Sequence, residues 1–128
     1  GTPAPAVRPP ASLGPVKMRA VRIRPGVALM VQPADLNIVL QRLEFPSAAD
    51  GFDLIIGTNI FVYYDTFEQC LALANAARML RPGGFLLSNN AFLELPGSSI
   101  RSVDYLTSVY SDKPDDGDHI VWYQRSAE

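Results

Sequence analysis

Two short apolar runs, Leu54-Ile55-Ile56 and Phe85-Leu86-Leu87, flank an alanine-rich stretch, and this arrangement constrains the fold more than any other feature. Neither run alternates with polar residues, and the first is rich in β-branched residues. Strands buried on both faces of a parallel sheet look like this. Strand, connection and strand fit within ~35 residues, which suits a βαβ unit with a right-handed crossover.

The connection has the marks of a helix. Asp65 can accept from free amides of a first turn, and Glu68, three residues on, can reach back to the cap amide. Phe67, Leu71, Ala74 and Arg78 share one stripe, with Cys70, Leu73, Ala77 and Leu80 beside it. That spacing gives an apolar face broad enough to cover a sheet. Arg78 and Arg81 suit the negative end of the helix dipole. Pro82-Gly83-Gly84 is expected to stop the helix and turn the chain.

Elsewhere the signals are shorter. Pro25-Gly26 between Val16–Arg24 and Val27–Val31 suggests a β-hairpin, whose Lys17, Arg19, Arg22 and Arg24 would be solvated charges or a basic patch. Residues 35–40 fit a strand end or a helical turn equally well. Phe45–Asp50 reads as a loop, and Ala91–Pro96 as a short helical turn. Val103, Tyr105, Thr107 and Val109 alternate with polar residues, as do Ile120, Trp122 and Gln124. A polar loop, Ser111–Asp118, separates them, so an antiparallel hairpin is expected. The tail Ser126–Glu128 is expected to fray.

Composition narrows the function classes. Hydrophobic residues make up 48% of the chain, enough for a real core. A net charge of −2 gives no sign of a nucleic-acid partner. No apolar run approaches the ~20 residues of a membrane span. Cys70 is the only cysteine, which excludes an intrachain disulfide and fits a reducing, cytoplasmic setting. The opening Gly1–Pro15 holds five prolines and no apolar core of a signal peptide, so it reads as a flexible lead-in before a domain over residues 16–128. His119 has no second histidine or cysteine with which to share a metal. Asp112, Asp115, Asp116 and Asp118 do not match the spacing of a calcium loop. No metal is expected.

In an open α/β sheet, ligands bind beyond the carboxyl ends of the strands. Gly57-Thr58-Asn59-Ile60-Phe61 and Ser88-Asn89-Asn90 fall at two such ends. Asn59 offers a donor and an acceptor. Tyr63 and Tyr64 fit a pocket wall or a core equally well.

These residues carry a resemblance. Phe-Asp-Leu-Ile-Ile-Gly-Thr-Asn-Ile-Phe-Val-Tyr-Tyr-Asp, residues 52–65, is similar to the fourth-strand motif of class I S-adenosylmethionine-dependent methyltransferases, the chemotaxis-receptor subgroup in particular. Met-Leu-Arg-Pro-Gly-Gly-Phe-Leu-Leu, residues 79–87, resembles the family's helix end and fifth strand. The terminal hairpin resembles its sixth and seventh strands. The resemblance implies an α/β fold: a partial doubly wound, Rossmann-like sheet with a C-terminal antiparallel hairpin. It implies S-adenosylmethionine as cofactor and a small molecule or protein side chain as methyl acceptor. Thr58 and Asn59 would lie by the cofactor's methionine part or the methyl acceptor. Asp35 would contact adenine. Phe61, Tyr63, Tyr64 and Asn89 would line the acceptor pocket.

The family's first strand and its glycine-rich loop have no counterpart before Phe52, where Gly14 and Gly26 stand alone. Without that strand, one edge and the apolar faces of Leu54–Ile56 lose cover. Residues 16–31 could fill the gap, two chains could pair as a homodimer through the edge, or the polypeptide was cut from a longer one. The last is the preferred expectation, with this fragment not self-sufficient as an enzyme. The alternatives are a non-catalytic remnant of the fold serving as a dimerisation or protein-binding module, and an oxidoreductase on a nucleotide-binding fold.

Overall fold

The computed structural model describes residues 5–8, 11, 20–109, 112–113 and 117–127. The chain forms two compact units, Gly1–Asp35 and Leu36–Glu128. Among the described residues no helix is long and apolar enough to cross a membrane.

In the first unit, β1 (Ala6–Val7) pairs antiparallel with β2 (Ala20–Val21). Ala6 and Val7 lie within the stretch read as a lead-in. The hairpin expected around Pro25-Gly26 is not formed. Val16, Lys17 and Arg19 lie outside the described residues, and Pro25–Ala28 is a helical turn, α1. Arg24 and Pro25 carbonyls accept from Val27, Ala28 and Leu29. Proline at the first helical position has its φ preset for a helix and has no amide to leave unpaired there, so Pro-Gly initiates a turn of helix. Arg22 and Arg24 are exposed.

The second unit is a four-stranded mixed sheet with one long helix. β3 (Phe52–Gly57) runs parallel to β4 (Leu80–Ser88), and α2 (Thr66–Met79) joins them. β5 (Ile100–Val109) and β6 (Gly117–Arg125) form the antiparallel hairpin, so the order across the sheet is β3-β4-β6-β5. Part of the loop between them, including Pro114, Asp115 and Asp116, lies outside the described residues. An α/β unit with a parallel pair and a closing hairpin is therefore present.

Asp65 caps α2, and the reciprocal bonds with Glu68 are both made, at 2.8 and 3.0 Å. The helix ends at Met79, before the Pro82-Gly83-Gly84 stop. Leu80 is already extended and pairs with Phe52. Asp53 alone then stands against residues 81–84 before the register resumes at Leu54 and Phe85. Gly84 permits this irregularity, since a Cβ there would lie 2.8 Å from the Phe52 carbonyl oxygen.

The face that α2 buries differs from the first stripe in the sequence pattern. Ala72, Leu73, Ala76, Ala77 and Met79 are buried, whereas Phe67 is 71% exposed and Ala74 and Arg78 face solvent. Alanines let the helix axis approach the sheet, and the adjoining face carries three of them. Against it lie Leu86, Val121 and Tyr123, with Ile55 partly buried beside them. Cross-strand rows set this face: Ile55, Leu86 and Tyr123 pair in line, as do Gly57, Ser88 and Val121.

The alternate rows, Leu54-Phe85-Gln124 and Ile56-Leu87-Trp122, point the other way. There Leu54, Ile56 and Trp122 are exposed, Ile56 by 63%. Burial of β3 on both faces is thus not found. The strand ends the sheet on one side, and α2 covers one face only.

Shorter segments complete the unit. Residues 37–41 form a helical turn, where Asn37 Oδ1 accepts from Val39 and Leu40. Asn75 Nδ2 on α2 donates to the carbonyls of Ile38 and Val39 and holds that turn to the helix. Ala48–Asp50 is one 3-10 turn within the expected loop. The helical turn expected over residues 91–96 is absent, and only a hydrogen-bonded turn around Pro96-Gly97 forms, closed by the Ser98 amide on Leu95 O, with Gly97 at φ 77°. Ser126 does not fray: its amide donates to Ser99 O at 2.7 Å.

Candidate functional site

The carboxyl ends of β3 and β4 meet, because the parallel register runs from Phe52–Leu80 to Gly57–Ser88. Both strands therefore release their chains at one rim. There Asn59 and Asn89 make two mutual bonds: the Asn59 amide N–H donates to Asn89 Oδ1 at 3.0 Å, and Asn89 Nδ2 donates to Asn59 Oδ1 at 2.7 Å. Asn59 holds φ 57°, the sole positive φ outside glycine among the described residues. Asparagine tolerates the left-handed region better than most residues, and such conformations gather at functional sites. The strain is held by the bonds to Asn89, and it leaves the Asn59 Nδ2 donor open to solvent.

Each expected site residue has a definite place. Thr58 and Asn59 are exposed at the rim. Asn89 is half-buried and bonds across to Asn59. Tyr63 is 81% exposed, and Tyr64 packs its ring partly against the core. Phe61 is only 2% exposed. It turns inward, with its ring edge-on to Phe92 at 4.8 Å. Asp35 is exposed and closes the first unit, so the rim is built from residues of the second unit alone.

Behind the rim lies an aromatic group that fixes its position. Phe61, Phe92 and Tyr123 stack in series, and the Tyr123 hydroxyl accepts from the Phe92 amide at 2.7 Å. Burial pushes the Tyr123 hydroxyl pKa above its ordinary value, partly offset by that amide. Gly57 makes the packing possible, because a Cβ there would lie 2.3 Å from the Phe61 ring.

Three further polar residues shape the site: Ser88 and Asn90 were legible as strand-end residues, whereas Gln69 carried little signal in the sequence. Ser88 is fully buried, and its Oγ accepts from the Asn90 amide at 3.0 Å. The Asn90 side-chain oxygen is buried without a partner among the described residues. Gln69 donates from Nε2 to the carbonyls of Phe61 and Tyr64, both at 3.0 Å, and so pins the residues after the rim to α2. A glutamine in the first turns of a helix looks like an ordinary solvated residue, and only the fold reveals its target.

Chemically the rim offers amide donors and acceptors, a threonine hydroxyl and one exposed aromatic face. Residues 57–61 and 88–90 hold no carboxylate, histidine or thiol. Among the described residues no group of three or more His, Cys, Asp or Glu could hold a metal ion. Such donors and acceptors can bind and orient a ligand. No protein-family model matches the chain, and no curated protein matches it.

Proposed function

We propose that this chain takes part in S-adenosylmethionine-dependent methyl transfer, as part of a longer chain whose sheet is doubly wound. One observation carries the reading: β3 and β4 are parallel neighbours whose carboxyl ends are joined by the Asn59–Asn89 amide pair, where open α/β sheets bind ligands. The residues present fit one end of the cofactor. The free Asn59 Nδ2 and the Thr58 hydroxyl suit an amino-acid carboxylate and amine, while these 128 residues contain no Gly-x-Gly-x-Gly-like loop through which the backbone could approach the cofactor. Bound there, S-adenosylmethionine would supply a methyl group activated on a sulfonium.

The chain's own part is positioning. Asn59 and Asn89 hold the rim, Gln69 fixes residues 61–64, and Tyr63 presents a ring face that favours positive charge. The acceptor, a small molecule or a protein side chain, would approach over Tyr63 and Tyr64, with Phe61 supporting them from the core. Titration calorimetry on the protein as its cell makes it tests this. Saturable S-adenosylmethionine binding is expected, weakened about tenfold or more by Asn59→Ala, roughly the worth of one good polar contact. No binding at millimolar cofactor would end the proposal.

A second reading has its own observation. Among the described residues the outer edge of β3 has no strand partner, and the Leu54, Ile56 and Trp122 face beside it is exposed. Edges of this kind invite strand pairing between chains. In this reading the fold is a non-catalytic module that pairs with a second copy of itself. Light scattering would show a dimer that Ile56→Lys disperses, and a monomer at all concentrations would exclude it.

A further inference from the structure

At the opposite rim of the sheet, Arg42, Arg78 and Arg125 line one cavity of about 150 Å³, together with Glu44, Phe45, Ser47 and Ala48. They come from the segment before β3, the last turn of α2 and the end of β6. Arg42 pairs with Glu44 at 2.9 Å. Arg78 has no carboxylate partner among the described residues, and Arg125 gives Nη1 to the carbonyl of Leu80. Ser47 Oγ already donates to Asp50 Oδ2 at 2.8 Å, so the serine cannot supply a proton to a ligand.

Three arginines and one glutamate thus line the same space, in a chain whose net charge is −2. Like charges so gathered raise one another's energy unless an anion joins them. Helix dipole alone does not explain the cluster. The C-terminal end of α2 would accept one or two cations, but Arg42 belongs to a separate segment. Guanidiniums are planar donor forks that match phosphate oxygens in pairs. The cavity equals the liquid volume of about five waters, room for one tetrahedral oxyanion with the rest of any larger ligand outside.

We propose that this cavity is an anion site for a phosphate group, free or as the monoester of a small molecule. Its place, at the amino-end rim of β3 and β4, separates it from the Asn59–Asn89 rim, so it does not depend on the methyl-transfer reading. The test is a titration with inorganic phosphate and, separately, with glycerol phosphate, followed by the arginine side-chain N–H resonances. Saturable shifts in Arg42, Arg78 and Arg125 are expected, weakened tenfold or more by Arg78→Gln and by added salt. Arg78 is exposed, so this variant should fold normally, which circular dichroism would check. Tighter binding of inorganic phosphate would assign free phosphate, and tighter binding of the monoester a phosphorylated metabolite; either supports the site. No saturable shift up to about ten millimolar, or equal binding by Arg78→Gln, would overturn it.

Discussion

The two faces of the sheet are built by the same strands from similar residues, yet they meet different surroundings. On one, Leu86, Val121 and Tyr123 pack against the alanines of α2 and are almost wholly buried. On the other, Leu54, Ile56 and Trp122 alternate with them along the same strands and stay open. Apolar content therefore does not decide which face forms the core; the single crossover helix does. The open face is where further structure, or another chain, has most to gain.

Substitutions on the two faces, and at the cap of the helix that covers one of them, sharpen this contrast. The largest effect is expected from Leu86→Ala, which opens a cavity beneath α2 and should lower unfolding free energy by about 2–5 kcal/mol in chemical denaturation. Next comes Tyr123→Phe. It leaves the buried Phe92 amide without its acceptor, at about 1–3 kcal/mol. This variant also has a pH signature. The folded state holds the Tyr123 proton more tightly than the unfolded chain does. That contribution is complete below the ordinary tyrosine value of about 10 and fades as pH rises through the raised one. Denaturation curves should therefore show stability falling above about pH 10 in the parent but less steeply in the variant. Asp65→Ala removes the cap of α2 and should cost about 1 kcal/mol. Ile56→Ser, on the open face, should change stability by no more than about 0.5 kcal/mol. A large loss at Ile56 would break the contrast and show that the face is covered in solution.

The sequence disclosed the elements that local rules govern. Asp65 and Glu68 announced the start of α2, and the runs at Leu54 and Phe85 announced a parallel pair with its crossover. The alternation around Val103 and Ile120 announced the hairpin. It did not disclose which side of α2 faces the sheet, since alanines at 72, 74, 76 and 77 make that helix nearly apolar all round. Pro25-Gly26 misled because proline serves a turn and a helix start equally well. At the site, Thr58, Asn59 and Asn89 were legible as residues at strand ends. Their mutual bonds, and the convergence of Arg42, Arg78 and Arg125, arise only when segments distant in the chain are folded together.

The role of the Asn59–Asn89 rim is tested most directly by amide chemical-shift mapping of the protein as its cell makes it, during titration with S-adenosylmethionine. Saturable shifts centred on residues 57–61 and 88–90 are the expected result. Unchanged spectra at millimolar cofactor, or shifts centred on another part of the molecule, would contradict it.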